Sequence, residues 1–293
     1  MSLKIALFGA GGQVGREAVA AAATDSSLSL FSLHRSDADL LDPGAATSAV
    51  DRIKPDVVIN AAAWTAVDKA ESETQSAFRI NAAAAGEIAG ACAASGARLI
   101  HLSTDYVFAG DNGGMPLDET APVSPQNVYG ASKLAGEELV SANFSSAVIL
   151  RTSWVYSSHG TNFVKTMLRL GETRNAVGVV DDQIGGPTPA SSIASACLAL
   201  ARRADGPGGV YHFQGAPAAS WADVAEAIFS AARKSVSVNR IRTADYPTPA
   251  KRPLYTVLNC SKILRDYGII APDWRADIAG TVDRINKSMS HRT

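Results

Sequence analysis

The strongest constraint on the fold lies within the first fifteen residues. A short apolar run, Ile5-Ala6-Leu7-Phe8, passes directly into Gly9-Ala10-Gly11-Gly12-Gln13-Val14-Gly15. Glycines 9, 12 and 15 are spaced GxxGxxG, and the residues after them read as a helix over 13–23. Such a junction turns tightly, lets the backbone approach a ligand closely and packs the helix against the sheet. It also presents the free N–H groups of a helix N-terminus, where a pyrophosphate is stabilised. Glycine-rich turns also arise for backbone reasons alone. Here the context, strand before and helix after at the start of an α/β chain, points to dinucleotide binding.

The same unit recurs along the N-terminal half. Apolar strands are predicted at 28–33, 56–60, 98–103 and 147–151, and Ala-rich helices at 45–53, 73–94 and 128–140, with Gly96 ending the longest helix. Short continuous apolar strands separated by helices indicate a parallel sheet covered on both faces, and right-handed crossovers make it a doubly wound Rossmann sheet. After residue 152 the pattern is less regular: a loop at 185–189, a helix at 191–203, a strand at 210–213, a helix at 221–233 and an irregular proline-bearing stretch at 246–253. The expected division is an NAD(P)-binding Rossmann domain over 1–155 that carries the catalytic residues. A smaller, mainly substrate-binding C-terminal lobe follows over 156–293, with some elements returning to the sheet.

Composition narrows the function classes. Lys plus Arg number 27 and Asp plus Glu 28 among 293 residues. This balance gives no general electrostatic reason to bind nucleic acid or an anionic membrane. No apolar run reaches transmembrane length, and the first apolar stretch is a strand rather than a signal peptide, so a cytoplasmic location is expected. Cys92, Cys197 and Cys260 are far apart with no CxxC, and no histidine pair has zinc-ligand spacing, so no disulfide frame and no metal are expected. Oligomeric state is not legible, and a homodimer is left open.

Three further elements carry chemistry. An acidic residue after the second strand would bind an NAD ribose, whereas this chain has His34-Arg35 there. Arg35 is placed to meet a 2′-phosphate, so NADPH is expected, with NADH still possible. Asp39 and Leu40 are candidates for the adenine side, and Asp39 alternatively caps the next turn. Tyr129-Gly130-Ala131-Ser132-Lys133 places a phenol and an ammonium four apart on one helical face. A cation there is expected to lower the phenol pKa and make Tyr129 a general acid toward a carbonyl oxygen. Ser103-Thr104-Asp105-Tyr106 ends the fourth strand, at the sheet edge where doubly wound folds bind ligands, and Thr104 is placed to hold the substrate oxygen. The three elements in this order indicate a redox enzyme.

At these residues the chain resembles the extended short-chain dehydrogenase/reductases, and within them the dTDP-4-dehydrorhamnose reductase family. The resemblance spans nearly the whole chain. It is carried by the glycine loop, by 58–71 (Val-Ile-Asn-Ala-Ala-Ala-Trp-Thr-Ala-Val-Asp-Lys-Ala-Glu) and by 103–108 (Ser-Thr-Asp-Tyr-Val-Phe). The YxxxK turn, 150–156 (Leu-Arg-Thr-Ser-Trp-Val-Tyr) and 181–188 (Asp-Asp-Gln-Ile-Gly-Gly-Pro-Thr) complete it. It implies NAD(P)H-dependent reduction of the 4-keto group of dTDP-6-deoxy-L-lyxo-4-hexulose to dTDP-L-rhamnose. Thr104, Tyr129 and Lys133 match the catalytic set. Gly9, Gly12, Gln13, Val14, Ala61, Ala62 and Ala63 fall beside the cofactor, with Tyr129 and Lys133 also reaching it. Val67, Thr104, Asp105, Tyr106, Trp154 and, more weakly, Arg252 match the substrate side. Gly186, where the family often has Ser, and Asn259, where an acid is frequent, are departures that concern the substrate loops. An epimerase or dehydratase shares the fold, but the dehydratases place Glu where this chain has Tyr106. A regulatory subunit of the methionine adenosyltransferase type, which binds NADP, is the alternative from another class.

Overall fold

The computed structural model describes residues 2–203 and 205–290. Its centre is a six-stranded parallel sheet. In chain order the strands are β1 (Leu3–Phe8), β2 (Leu28–Leu33), β3 (Val57–Asn60), β4 (Arg98–Thr104), β5 (Val148–Thr152) and a late strand, Gly209–His212. Across the sheet the late strand lies at one edge, followed by β5, β4, β3, β1 and β2. Every residue of β3 and of β5 is buried. That is why each opens on a continuous apolar run, Val57-Val58-Ile59 and Val148-Ile149-Leu150, rather than on an alternating pattern.

The two faces of β1 separate cleanly. Ile5 and Leu7 enter one hydrophobic cluster with the helices Gln13–Ala22 and Ala190–Arg202. Ala6 and Phe8 enter the opposite cluster with the helices Ala45–Ile53 and Ala84–Ser95. Side chains alternate across a strand, so a single apolar strand feeds both cores. The chain leaves β1 for β2 on one side and returns to β3 on the other. The sheet therefore reverses its winding between β1 and β3, and the crevice beyond their carboxyl ends is where such folds receive ligands.

A third core is built from C-terminal segments. Leu168, Val177, Val179, Ile228, Phe229, Trp274 and Val282 pack together, and the strands Ala176–Val180 and Ser237–Ile241 pair in parallel beside them. Neither strand was expected from the sequence, and neither were the helices Phe163–Leu170, Ser261–Tyr267 and Trp274–Ser290. These strands are half exposed, so their composition lacks the run of buried residues that marks β1, β3, β4 and β5. The single helix expected over 73–94 is three pieces: Thr74–Phe78, a π-helical turn at Arg79–Ala83, and Ala84–Ser95. Gly96, at φ +75°, ends it as expected. Among the described residues no helix is long and apolar enough to cross a membrane.

Candidate functional site

The glycine loop lies against the loop after β3. Gly9 has φ +79°, and a Cβ there would stand 2.6 Å from the Ala62 nitrogen. A Cβ on Gly15 would stand 2.2 Å from the Gly9 oxygen, so only glycine lets the first helix pack this close. Gly12 begins that helix with no capping side chain, and its first turn holds no acid. Bare backbone and an uncapped helix start fit a dinucleotide pyrophosphate. The neighbouring Val14 is buried in the core, and the Gln13 carboxamide binds Ser157 and Asn162, tying the helix start to the segment after β5.

Arg35 stands at the end of β2, 73% exposed at its side chain, and pairs with Asp39 at 2.8 Å. An exposed ion pair is screened by solvent and weakly held, so the guanidinium can exchange its partner for an anionic ligand. The other Asp39 oxygen accepts from the Leu41 N–H at 3.0 Å, and Leu40 is buried with Phe8 and Leu33. Beyond β3, Ala61, Ala62 and Ala63 are half-buried beside Gly9, and Asn60 Oδ1 accepts from the Ala62 N–H at 3.2 Å.

Tyr129 and Lys133 lie on the helix Val128–Asn143. Asn127 caps it by accepting from Gly130 N–H at 2.8 Å, and Glu71 accepts from Val128 N–H at 2.9 Å. A Cβ on Gly130 would stand 2.2 Å from the Tyr106 oxygen, so the helix start sits directly on the turn after β4. This brings the rings of Tyr106 and Tyr129 to 5.7 Å, edge to face. Thr104 is buried at the end of β4 and donates to Asp105 at 3.0 Å. Thr256 donates to the other Asp105 oxygen at 2.6 Å. Burial pushes the Asp105 carboxyl up to about 7 against the pull of both hydroxyls.

The electrostatics differ from the expectation that Lys133 lowers the Tyr129 pKa. Burial pushes the phenol up to about 12, with a hydrogen bond to Thr104 opposing and the Asp105 charge reinforcing it. Lys133 Nζ is turned toward β4, donating to the Leu102 carbonyl at 2.6 Å and lying 3.4 Å from His101 Nε2. Burial pulls the lysine down to about 8, opposed by the Glu137 carboxylate. Spacing on a helix places both groups on one face but does not decide which neighbour the amine meets.

On the substrate side, Val67 opens the short helix Val67–Ala70, and the next residue, Asp68, pairs with Arg252 at 3.0 Å. Asn127 Nδ2 donates to the Lys251 carbonyl at 2.8 Å. These contacts dock the 250–252 segment beside Tyr106 and the helix Val128–Asn143. Trp154 follows β5 with φ +44°, a conformation rare for a bulky residue, and stacks on Trp221 at 3.7 Å and 5°. Gly185 makes room, since a Cβ there would lie 2.6 Å from the indole. Trp154 thus joins the third core.

Sequence reasoning missed Asp68, Trp221, Asn60, His101 and Glu137. Glu137, four residues beyond Lys133, was legible from helical spacing, whereas the others meet their partners only through the fold. Asp181 and Asp182 are engaged within the fold, the first with Ser220 and Arg240 and the second with Thr243.

The family model for the RmlD substrate binding domain matches residues 3–287. The dTDP-4-dehydrorhamnose reductase of Escherichia coli K12 is 42% identical over 94% of this chain and 96% of its own length. The crystal structure of a dTDP-4-dehydrorhamnose reductase from Clostridium acetobutylicum superposes with a TM-score of 0.92 at 36% identity, covering 97% of this chain and all of the other. The corresponding reductase from Bacillus anthracis, solved in complex with NADP, superposes with a TM-score of 0.89 at 34% identity, covering 96% and 99%. The glycine loop, the strand-end threonine and the Tyr-Lys helix are thus set in a chain similar to these reductases over nearly its full length, and the chain belongs to the RmlD family of dTDP-4-dehydrorhamnose reductases.

Proposed function

We propose that this protein reduces the 4-keto group of dTDP-6-deoxy-L-lyxo-4-hexulose to give dTDP-L-rhamnose, with NADPH as reductant and NADH as a possible substitute. The observation that carries the reading is the meeting of Thr104, Tyr129 and Lys133 about the carboxyl end of β4, in a fold whose first loop holds Gly9 and Gly15 where a Cβ would collide with backbone. The N-terminal residues 1–155 hold the cofactor and the catalytic groups, and 156–293 serve mainly the substrate, with the helix Ala190–Arg202 and the late strand returning to the sheet.

The nicotinamide cofactor, when bound, supplies the hydride. The uncapped helix start and Gly9, Gly12, Gln13 and Val14 hold its pyrophosphate, Arg35 its 2′-phosphate, Asp39 and Leu40 border its adenine side, and Ala61 to Ala63 line its path. Tyr129, which keeps its proton at neutral pH, delivers that proton to the alkoxide forming at the sugar C4. Thr104 holds the same oxygen. Lys133 binds the ribose hydroxyls from its charged form. Val67, Asp105, Tyr106, Trp154 and Arg252 bound the sugar nucleotide, Arg252 being steadied by Asp68. The reading includes a cytoplasmic location and admits a homodimer.

The test is NADPH oxidation with the 4-keto substrate generated in place from dTDP-glucose, with NADH in parallel. Substrate-dependent oxidation is expected, and Tyr129→Phe should lower turnover at least about a hundredfold with NADPH binding retained. No oxidation by protein that binds NADPH would redirect the reading to a different keto-sugar.

A further inference from the structure

A line of buried polar groups runs under the site, from the loop after β3 to the lysine. Asn60 is 1% exposed, His101 1% and Lys133 2%. Asn60 Oδ1 accepts from the Ala62 backbone N–H, which fixes the orientation of the carboxamide. Its Nδ2 therefore faces His101 Nδ1, at 3.0 Å, as a donor. An imidazole nitrogen that receives a hydrogen bond carries no proton, so a neutral His101 holds its hydrogen on Nε2. Burial and the nearby lysine both hold the imidazole well below its ordinary pKa, which keeps it neutral. Nε2–H then points to Lys133 Nζ at 3.4 Å. A neutral amine offers a lone pair to this donor, while an ammonium offers only hydrogens, so the two protonation states of Lys133 meet His101 differently.

We propose that Asn60 and His101 form a directional hydrogen-bond chain from the Ala62 backbone to Lys133, in which His101 is a positioning residue that favours the neutral amine. The proposal rests on the reading of Lys133 as part of the catalytic set, and it adds a device that sets how readily that lysine takes its proton. The other charged groups around the amine are accounted for. On its own helix, Glu137 favours the ammonium but is already bound by Arg151 of β5 at 2.6 Å and receives the Ser103 hydroxyl of β4. Tyr129, also on that helix, stays protonated. Beyond the end of β4, Asp105 acts on Tyr129, and β3 contributes only the uncharged Asn60. Protonating Lys133 sets donor against donor at His101 and weakens that contact. A ligand that displaces the Ala62 loop perturbs the same chain from its other end.

The isosteric variant Asn60→Asp reverses the chain. An aspartate accepts at both oxygens, so His101 must present Nδ1–H, leaving Nε2 as an acceptor for the ammonium. The first readout is NMR of the full chain with isotope-labelled histidine nitrogens, the His101 signal identified by its loss in His101→Gln. Wild type should hold its proton on Nε2 from acid to alkaline pH, and Asn60→Asp should move it to Nδ1. The second readout is the alkaline limb of kcat/KM, assigned to Lys133, which should rise by about one pH unit or more in Asn60→Asp. A wild-type His101 protonated on Nδ1 overturns the proposal. So does a limb that moves while the tautomer stays on Nε2, because the added charge alone would then account for it. So does a reversed tautomer with an unmoved limb. The tautomer is read without turnover, so failure of the proposed reaction and failure of this chain are distinguishable. If Asn60→Asp does not fold, a wild-type His101 protonated on Nδ1 still overturns the proposal.

Discussion

Asp105 is a buried carboxyl whose ionisation the fold resists, and replacing it with asparagine should show this as a change in the pH dependence of stability. The side chain is 2% exposed and its pKa is pushed up to about 7 from 3.8. The folded state therefore binds more protons than the unfolded chain between these two values, and Asp105 makes the wild type lose stability as pH rises through that window. At roughly 1.4 kcal/mol per pH unit of difference, its ionisation costs about 4 kcal/mol at about pH 8 and about 1.5–2 kcal/mol at about pH 5. An asparagine in its place does not titrate. It does change the hydrogen bonds with Thr104 and Thr256, and that change adds an offset independent of pH. The quantity to follow is thus the stability of Asp105→Asn minus that of wild type, from urea denaturation at several pH values. It should rise by about 2.5 kcal/mol between about pH 5 and about pH 8. A difference flat to within about 0.5 kcal/mol, beyond the scatter of such extrapolations, would refute the reasoning and mean that the carboxylate is solvated or paired in the folded state.

Three other perturbations test separate parts of the argument. Glu137→Gln leaves the Arg151 guanidinium, 5% exposed at its side chain, without its carboxylate, and should cost roughly 3–5 kcal/mol; replacing both residues with Met should recover most of the loss in a thermal melt. Gly15→Ala forces a Cβ to within 2.2 Å of the Gly9 oxygen, so the loop must shift, and NADPH affinity measured by fluorescence should fall about tenfold or more, roughly 1.4 kcal/mol. Arg35→Gln should raise KM for NADPH about tenfold and leave KM for NADH within about twofold, as expected for loss of one charge-assisted contact to a 2′-phosphate; equal effects on both cofactors would place the 2′-phosphate elsewhere.

Much of the fold was legible because the central strands are buried on both faces. Such strands need apolar runs, and β1, β3, β4 and β5 were found where those runs stand; the edge strand β2, mostly part-buried, also stands at its expected 28–33. The break in the 73–94 helix was not legible. Alanine-rich sequence favours a continuous helix, yet the π turn at Arg79–Ala83 places Asn81 where it binds Trp64 and Ser132 across two other elements. The strands Ala176–Val180 and Ser237–Ile241 escaped notice because the first alternates exposed with buried residues, the second buries none fully, and each finds its partner some sixty residues away. Within the site, Thr104, Tyr129 and Lys133 could be named from motif and spacing. Their protonation behaviour could not, since the expected pull of the lysine on the phenol gave way to burial of both.

The sequence by itself determined the local chemistry: a loop that needs glycine at positions 9 and 15, a phenol and an amine four residues apart on one helix, and a hydroxyl at a strand end. These follow from short-range geometry, which residue type and spacing specify directly. Tertiary structure decided what each group faces. It turned Lys133 toward Leu102 and His101, set Asp68 on Arg252 and Trp221 on Trp154, and stripped water from Asp105. Such pairings depend on residues brought together across the sheet, and desolvation depends on everything packed around a group, so neither is written in any one stretch of the chain.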